Sequence, residues 1–247
     1  MLKKIFLFLV VMVIGTSVLS ACGGNSTDKD TRKLLVGLVD KGKILVNQPG
    51  WVHVTEKVVY DTDKENRGTL ANNTPIPLVQ TVDIWYHITA SKLVYQYVWT
   101  MTSQDGEVVE QSVFLNNLLY NLTTNISNPL NPYSLALDYQ FVDELDYFIS
   151  DSGHPVVTTE QVNGKTATVF TLDQNLASPR TTEDYKQTIS AIGSIASFDQ
   201  ESGLLLKLVR TVTLADGTKR MFYTDNITVE KGVTPPQDIQ NYVNGFW

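Results

Sequence analysis

The feature that most constrains the fold is a series of short apolar runs separated by turn dipeptides. From Trp51 onward, β-branched and aromatic residues dominate these runs. Asp105-Gly106, Asn163-Gly164 and Asp216-Gly217 each stand between two of them. Such dipeptides favour the left-handed backbone of a tight hairpin turn. Because a hairpin places consecutive strands antiparallel, the sequence predicts a mainly β chain of the α+β class built on a long antiparallel meander.

The predicted strands follow from where the apolar runs begin and end. They cover residues 51–60, 78–89, 92–103, 107–123, 156–162, 165–172, 192–199, 204–214 and 218–229. No internal repeat and no Pro/Ser-rich linker interrupts the series. About 220 residues are enough to bury near 70% of their unfolded surface in one domain. The sequence therefore predicts a single domain.

Four further segments have helical patterning. Residues 31–46 place Leu34, Leu35, Leu38 and Leu45 near one helix face, with Asp30 or Thr31 as the predicted N-cap. Residues 134–150 repeat apolar side chains at helical spacing. A short helix is predicted at 181–189 and a helical turn at 235–239. Helices of this kind would cover a face of the sheet.

The early strands are apolar on both faces, although a strand with one face in water alternates cleanly. This pattern predicts that a helix or an apolar ligand covers the second face. Which face is concave stays open, so both contribute candidate ligand-binding residues. The candidates are Leu93, Tyr95, Tyr97 and Trp99 on one face and Val82, Ile84 and Tyr86 on the other. The alternative is a core filled by side chains, with no ligand.

The first 22 residues have the pattern of a secretory signal. Lys3 and Lys4 precede the apolar run 5–14, and small residues lead to Leu19-Ser20-Ala21-Cys22. A membrane-spanning helix is the alternative, but it needs roughly 20 apolar residues. Residues 19–22 resemble the lipobox of bacterial lipoproteins. That resemblance implies cleavage before Cys22 and lipid attachment to its sulfur.

The expected organisation is a signal peptide at 1–21, a lipidated Cys22 with a flexible tether at 22–30, and one domain at 31–247. Loss of Lys3 and Lys4 leaves 17 Lys+Arg against 26 Asp+Glu, a formal charge of −9. A polybasic contribution to membrane binding is therefore not expected. The acyl chains on Cys22 are the predicted membrane partner, and two or more of them make attachment stable.

Composition and motif spacing argue against several other classes. The pI of about 4.9 argues against nucleic-acid binding. One Cys and three scattered His predict no metal site, no cofactor and no disulfide framework. Gly164-Lys165-Thr166 lacks the upstream Gly of a phosphate-binding loop, since position 159 is Thr. The stretch from Asp61 to Asn72 lacks the Gly and the final Glu of a calcium loop. A non-enzymatic protein is expected, because no motif supports a hydrolase with dispersed catalytic residues.

The order of these features resembles that of the lipoprotein-carrier superfamily, which includes periplasmic carriers of lipoproteins and mycobacterial lipoproteins that carry lipids. The resemblance implies a strongly bent antiparallel sheet, an incomplete barrel, with helices covering the concave side around an apolar cavity. It implies a protein anchored to the cell membrane or an outer membrane, on the extracytoplasmic side, that binds a lipid or acyl chain. The alternative is a structural or protein-interaction module of the cell envelope.

Overall fold

A computed structural model of the chain describes residues 28–61, 69–70, 72–91, 93–130, 155–181 and 188–245. Helix α1 (Asp28–Val46) precedes the sheet and helix α2 (Gln237–Val243) follows it. The strands between them are β1 (Gly50–Tyr60), β2 (Val79–Ile88), β3 (Val94–Ser103), β4 (Val108–Leu115), β5 (Leu118–Asn121), β6 (Ile126–Pro129), β7 (Val156–Val162), β8 (Lys165–Thr181), β9 (Thr188–Asp199), β10 (Leu205–Leu214) and β11 (Lys219–Lys231). The predicted mainly β fold is confirmed.

All eleven strands form one antiparallel sheet that is not closed into a barrel. Their order is β6-β5-β4-β3-β2-β1-β11-β10-β9-β8-β7. Strands that follow each other in sequence therefore pair, except that β6 and β7 lie at opposite edges and β1 pairs with β11. This pairing joins the two halves of the meander at the centre of the sheet, with Val54 opposite Val229.

The predicted turns at the dipeptides are confirmed by the backbone. Asn163 and Gly164 both have positive φ, at 51° and 77°, and Val162 pairs with Lys165 across them. The Gly-Lys-Thr sequence is therefore a hairpin turn, and not a phosphate-binding loop. The predicted single strand at 107–123 is wrong. Asn116 and Asn117 also have positive φ and split it into β4 and β5, because Asn tolerates this conformation almost as Gly does.

Several predicted elements differ in extent. Helix α1 begins at Asp28, three residues before the predicted start, so Asp30 and Thr31 lie inside the helix and do not cap it. Both ends of the predicted 181–189 helix are strand, at Thr181 and Thr188, and residues 182–187 lie outside the described part. So do the predicted helix at 134–150, His154 and Cys22. The predicted C-terminal helical turn is confirmed as α2.

The sheet has a buried cluster on each face. The larger cluster contains Leu35, Leu38 and Val46 of α1 together with Val54 and Ile84 of the sheet. The smaller contains Ile239 and Val243 of α2 with Trp85, Val98 and Val113. We call these two sides of the sheet the α1 face and the α2 face. No helix within the described ranges combines the length and hydropathy needed to cross a membrane.

Candidate functional site

The α1 face brings together most of the residues predicted to bind a ligand. Strands β2 and β3 pair so that Val82, Ile84 and Tyr86 lie opposite Met101, Trp99 and Tyr97. Residues directly opposite each other in an antiparallel pair point to the same side of the sheet. The two candidate faces of the sequence analysis are thus one face, with aromatic rings of β3 beside aliphatic side chains of β2.

Two of the seven candidates lie elsewhere. The pairing of β2 with β3 shifts between His87 and Ile88, so that Ile88 faces Val94. A register shift of this kind breaks the alternation, because an extra residue on one strand moves later side chains to the other side. Tyr95 is 54% exposed, and Leu93 lies in the turn, where its carbonyl accepts a hydrogen bond from the Thr89 amide. The predicted four-residue face is therefore wrong for Leu93 and Tyr95.

The aromatic side chains of the α1 face are incompletely covered by the described residues. Tyr97, Trp99 and Tyr223 are only partly buried, although they pack against the larger cluster. Burial raises the pKa of Tyr97, and the charge of Glu56 raises it further. Burial likewise raises the pKa of Tyr86. Both phenols therefore stay protonated at neutral pH and present an apolar ring with a hydrogen-bond donor.

Two carboxylates lie on this face that the sequence analysis did not single out. Glu56 of β1 lies opposite Ile227 of β11, and Asp225 of β11 lies opposite Val58. The two acids are therefore diagonal neighbours across the central strand pair. Burial, together with the charge of Asp225, raises the pKa of Glu56 to about 8. Burial raises the pKa of Asp225 to about 7. At neutral pH the pair thus holds a proton that ordinary carboxylates would have lost.

The sequence carries a signal for these acids. Val52, Val54, Glu56 and Val58 alternate with polar residues along β1. An acid at an otherwise apolar position of such a period-two pattern points toward the buried side of the strand. Asp225 occupies the equivalent place between Tyr223 and Ile227. Their proximity, however, depends on the pairing of β1 with β11.

Four buried polar atoms on the α1 face have no hydrogen-bond partner within the described part of the chain. They are Asp225 Oδ1, Gln80 Oε1, Ser103 Oγ and the Tyr86 hydroxyl. The Gln80 side chain is only 4% exposed. Val58 lies opposite both Asp225 and Gln80, and Gln80 lies opposite Ser103. An unpartnered buried polar atom costs about 1–3 kcal/mol, so these atoms favour a polar occupant on this face.

The α2 face is filled by its own side chains. His53 donates from Nδ1 to Glu230 Oε2 over 3.0 Å and from Nε2 to Asp83 Oδ2 over 2.9 Å. Its ring stacks on Trp85, with centroids 4.0 Å apart. Burial lowers the pKa of His53, but the hydrogen bonds and charges of Asp83 and Glu230 outweigh burial and raise it overall. In its protonated form, His53 therefore links β2, β1 and β11.

We expect His53→Gln to destabilise the protein by about 1–2 kcal/mol at pH 6, within the usual range for one substitution. Because the folded-state pKa is raised, the stabilisation by His53 is complete below the ordinary pKa of 6.5 and is lost as pH rises through the folded value. The cost of the substitution should therefore shrink at pH 9. Urea unfolding at the two pH values measures it.

His87→Gln is the matched control, because His87 stacks on Trp51 with ring centroids 5.0 Å apart and lies on the same strand as Asp83. If His53→Gln lowered the free energy of unfolding equally at both pH values, the interpretation that a charged His53 links the three strands would be wrong.

One open groove lies beside α1. It has a volume of about 910 Å³ and is lined by α1 and the turns that follow β7 and β9. Burial raises the pKa of Asp199 in the second turn, but hydrogen bonds from Ser202, Glu201 and Lys165 lower it below its usual value overall. The second groove, of about 530 Å³, lies beside α2. Neither groove is lined by Tyr97 or Trp99.

The remaining sequence candidates have structural partners or lie outside the described residues. Asp61, the first residue of the calcium-loop-like stretch, accepts from Arg220 Nε over 3.1 Å. Residues 62–68 are not described. In the part of the chain that the structure describes, no three His, Cys, Asp or Glu side chains are grouped so as to hold a metal ion.

Comparisons with known proteins give distant structural likenesses only. No family model matches the chain, and no curated protein is similar to it in sequence. Lipoprotein LppX of Mycobacterium tuberculosis has a TM-score of 0.43 at 14% identity, over 82% of this chain and 98% of its own. LprF from Mycobacterium bovis has a TM-score of 0.42 at 12% identity, over 85% and 97%. An uncharacterized conserved protein from Thermus thermophilus has 0.41 at 8% identity, over 86% and 94%. At this distance the likeness assigns neither a ligand nor a binding residue to this chain.

Proposed function

We propose that the protein is a membrane-anchored extracytoplasmic lipoprotein that binds a lipid or acyl chain on the α1 face of its sheet, without catalysing a reaction. The observation that carries the proposal is the combination on one face of partly buried rings, Tyr97, Trp99 and Tyr223, with buried polar atoms that have no described partner. A ligand with an apolar chain and a polar end matches both features.

The anchor in this proposal is Cys22. Helix α1 begins at Asp28, so only residues 23–27 separate it from Cys22. Five extended residues span at most about 18 Å. The N-terminal end of α1 would therefore stay close to the membrane surface, from which an acyl ligand can be taken up.

Burial of an acyl chain can supply enough free energy for micromolar binding. Burying one methylene contributes about 0.8 kcal/mol, so a ten-carbon chain contributes roughly 8 kcal/mol before the costs of association. Micromolar binding requires about 8 kcal/mol net. A longer chain, or contacts from the polar end, would offset the costs of association.

We expect the purified protein, stripped of bound lipid, to show saturable binding of an apolar dye that fatty acid or phospholipid displaces. Tyr97→Glu should weaken binding at least tenfold, because it places a charge among the rings of the α1 face beside Glu56. Tyr95→Glu is the matched control, since Tyr95 is one of the exposed side chains on the same strand. Dye titration measures both variants, and Tyr97→Ala replaces Tyr97→Glu if the latter does not fold.

The second candidate function is a structural or protein-interaction module of the cell envelope. The filled α2 face, where Ile239 and Val243 pack on Trp85, Val98 and Val113, favours it. Wild-type protein without saturable, displaceable dye binding would decide for this candidate, because the α1 face would then be closed by side chains as well.

A further inference from the structure

The polar atoms at the centre of the α1 face are mainly hydrogen-bond acceptors. Glu56 and Asp225 lie diagonally across the β1–β11 pair, and Gln80 lies diagonal to Glu56 on the far side of β1. Asp225 Oδ1 and Gln80 Oε1 are sealed from solvent and accept no hydrogen bond from any described residue. Two acceptor atoms without donors, beside the carboxyl group of Glu56, are the complement of a cation that carries several N–H groups.

Two cations on the same face, Arg210 and Lys231, already have other partners. The Arg210 guanidinium donates to Ser194 Oγ and to the Tyr223 hydroxyl. Lys231 Nζ donates to the Leu45 carbonyl over 2.9 Å and to Gln48 Oε1 over 3.1 Å. Neither Glu56 nor Asp225 is among these four acceptors.

We propose that Glu56, Asp225 and Gln80 bind the protonated primary amine of an amphiphile whose acyl chain lies along Tyr97 and Trp99. The proposal rests on the proposed function and names the chemical class of its ligand. An ammonium group has three donors, which matches the three acceptor groups. A calcium ion would need six or more oxygen ligands, and an anionic or zwitterionic head would place negative charge against two carboxylates.

The protonation of the pair supports this ligand class. Burial raises the pKa of both carboxyls, and the charge of Asp225 raises that of Glu56 further. Near neutrality an ammonium ion therefore competes with a proton for the site. Binding should release a proton, and affinity for an amine should rise between pH 6 and pH 8. The other charged groups on this side of the sheet include Arg32 of α1, whose Nε is buried, and Arg210, Lys231 and Glu110 of the sheet. The last accepts a hydrogen bond from Asn121 Nδ2 over 2.8 Å.

Three ten-carbon probes with different heads test the proposal: decylammonium and decanoate below their micellar concentrations, and decanol below its solubility limit. Calorimetric titration of the lipid-stripped protein at pH 7.5 should give at least tenfold tighter binding for decylammonium than for decanol, and the weakest binding for decanoate. Decylammonium affinity should rise at least threefold from pH 6 to pH 8, whereas decanol affinity should not change. Calorimetry in two buffers of different ionisation enthalpy should show the released proton.

The double variant Glu56→Gln, Asp225→Asn should bind decylammonium and decanol equally. It keeps side-chain volume and removes the repulsion between the acids, so its melting temperature at pH 7.5 should not fall. Glu110→Gln is the matched control, because Glu110 shares the α1 face but is bonded to Asn121. It should keep the preference for the amine. Asp225→Asn alone replaces the double variant if the latter does not fold.

Each outcome separates the two proposals. Equal binding of all three probes, or preference for decanoate, overturns the amine site and leaves apolar-ligand binding intact. Absence of saturable binding by any probe overturns the proposed function itself. Amine preference that survives in the double variant places the ammonium group elsewhere and overturns the assignment to Glu56 and Asp225.

Discussion

Gly42→Ala should destabilise the protein by about 2–3 kcal/mol, although alanine is the better helix former. A Cβ atom at Gly42 would lie 2.6 Å from the Gly203 carbonyl oxygen and 3.1 Å from its carbon. The obstructing atoms are backbone, in the turn between β9 and β10, so they cannot rotate away. Helix α1 would have to move off the sheet. The measurement is urea unfolding, supported by a melting temperature lower by roughly 5–10 °C.

Gly37→Ala is the control within the same helix. A Cβ atom at Gly37 meets no atom within 4 Å. The substitution therefore changes only the intrinsic helix propensity, which is higher for alanine than for glycine. Alanine should therefore stabilise the protein by about 0.5–1 kcal/mol. Opposite signs for Gly37 and Gly42 would demonstrate the close approach of α1 to the turn. Stabilisation by both substitutions would show that α1 does not contact the turn as closely as described.

The backbone conformation of the turn between β9 and β10 explains why helix α1 can approach it so closely. Gly203 has a φ of 74°, a conformation that residues with a Cβ atom rarely adopt. Its amide donates to the Asp199 carbonyl over 2.8 Å, and the Ser202 hydroxyl donates to Asp199 Oδ2 over 2.5 Å. The turn is thus held from its own side while Gly42 packs against it. Two glycines in contact let the helix backbone and the turn backbone meet.

Cys22→Ser should abolish lipid attachment. The variant has no thiol, because Cys22 is the only cysteine of the chain. Labelled palmitate should enter the wild type only, and essentially all of the variant should leave the membrane fraction or keep its signal segment uncleaved. The charge of the chain after Cys22 gives no substitute anchor, since residues 23–247 are acidic overall.

The matched control is Ser20→Ala, which changes a neighbouring small residue and keeps the thiol. It should be labelled as the wild type is. Intact mass of the membrane-extracted wild type should also show cleavage before Cys22. Label in the Cys22→Ser protein would contradict the lipoprotein hypothesis, because the label would then be attached elsewhere.

The local structure of this protein is largely determined by its sequence. Turns form at Asn163-Gly164 and Asp216-Gly217 because Asn163, Gly164 and Gly217 adopt positive φ at little cost. The predicted strands next to these turns are present, although β8 and β9 extend into the segment predicted as a helix at 181–189. Helix α1 follows from the spacing of Leu35, Leu38 and Leu45, whereas Leu34, predicted near the same face, is 45% exposed. These features depend on neighbours within a few residues, so local patterning is enough to predict them.

The candidate site depends on contacts between residues far apart in the chain. Pairing of β1 with β11 brings Glu56 to Asp225, and the register shift beside His87 separates Tyr95 from Tyr97. Neither the strand pairing nor the register shift has a local cause. The pattern of a strand predicts which of its side chains share a face, but not which strand pairs with it. The sequence thus determined the turns, the strands and the acids at apolar positions. The tertiary structure alone decided that Glu56, Asp225, the Gln80 amide and the aromatic rings share one face. The physical reason is that the strands pair in the register that buries apolar side chains on both faces of the sheet.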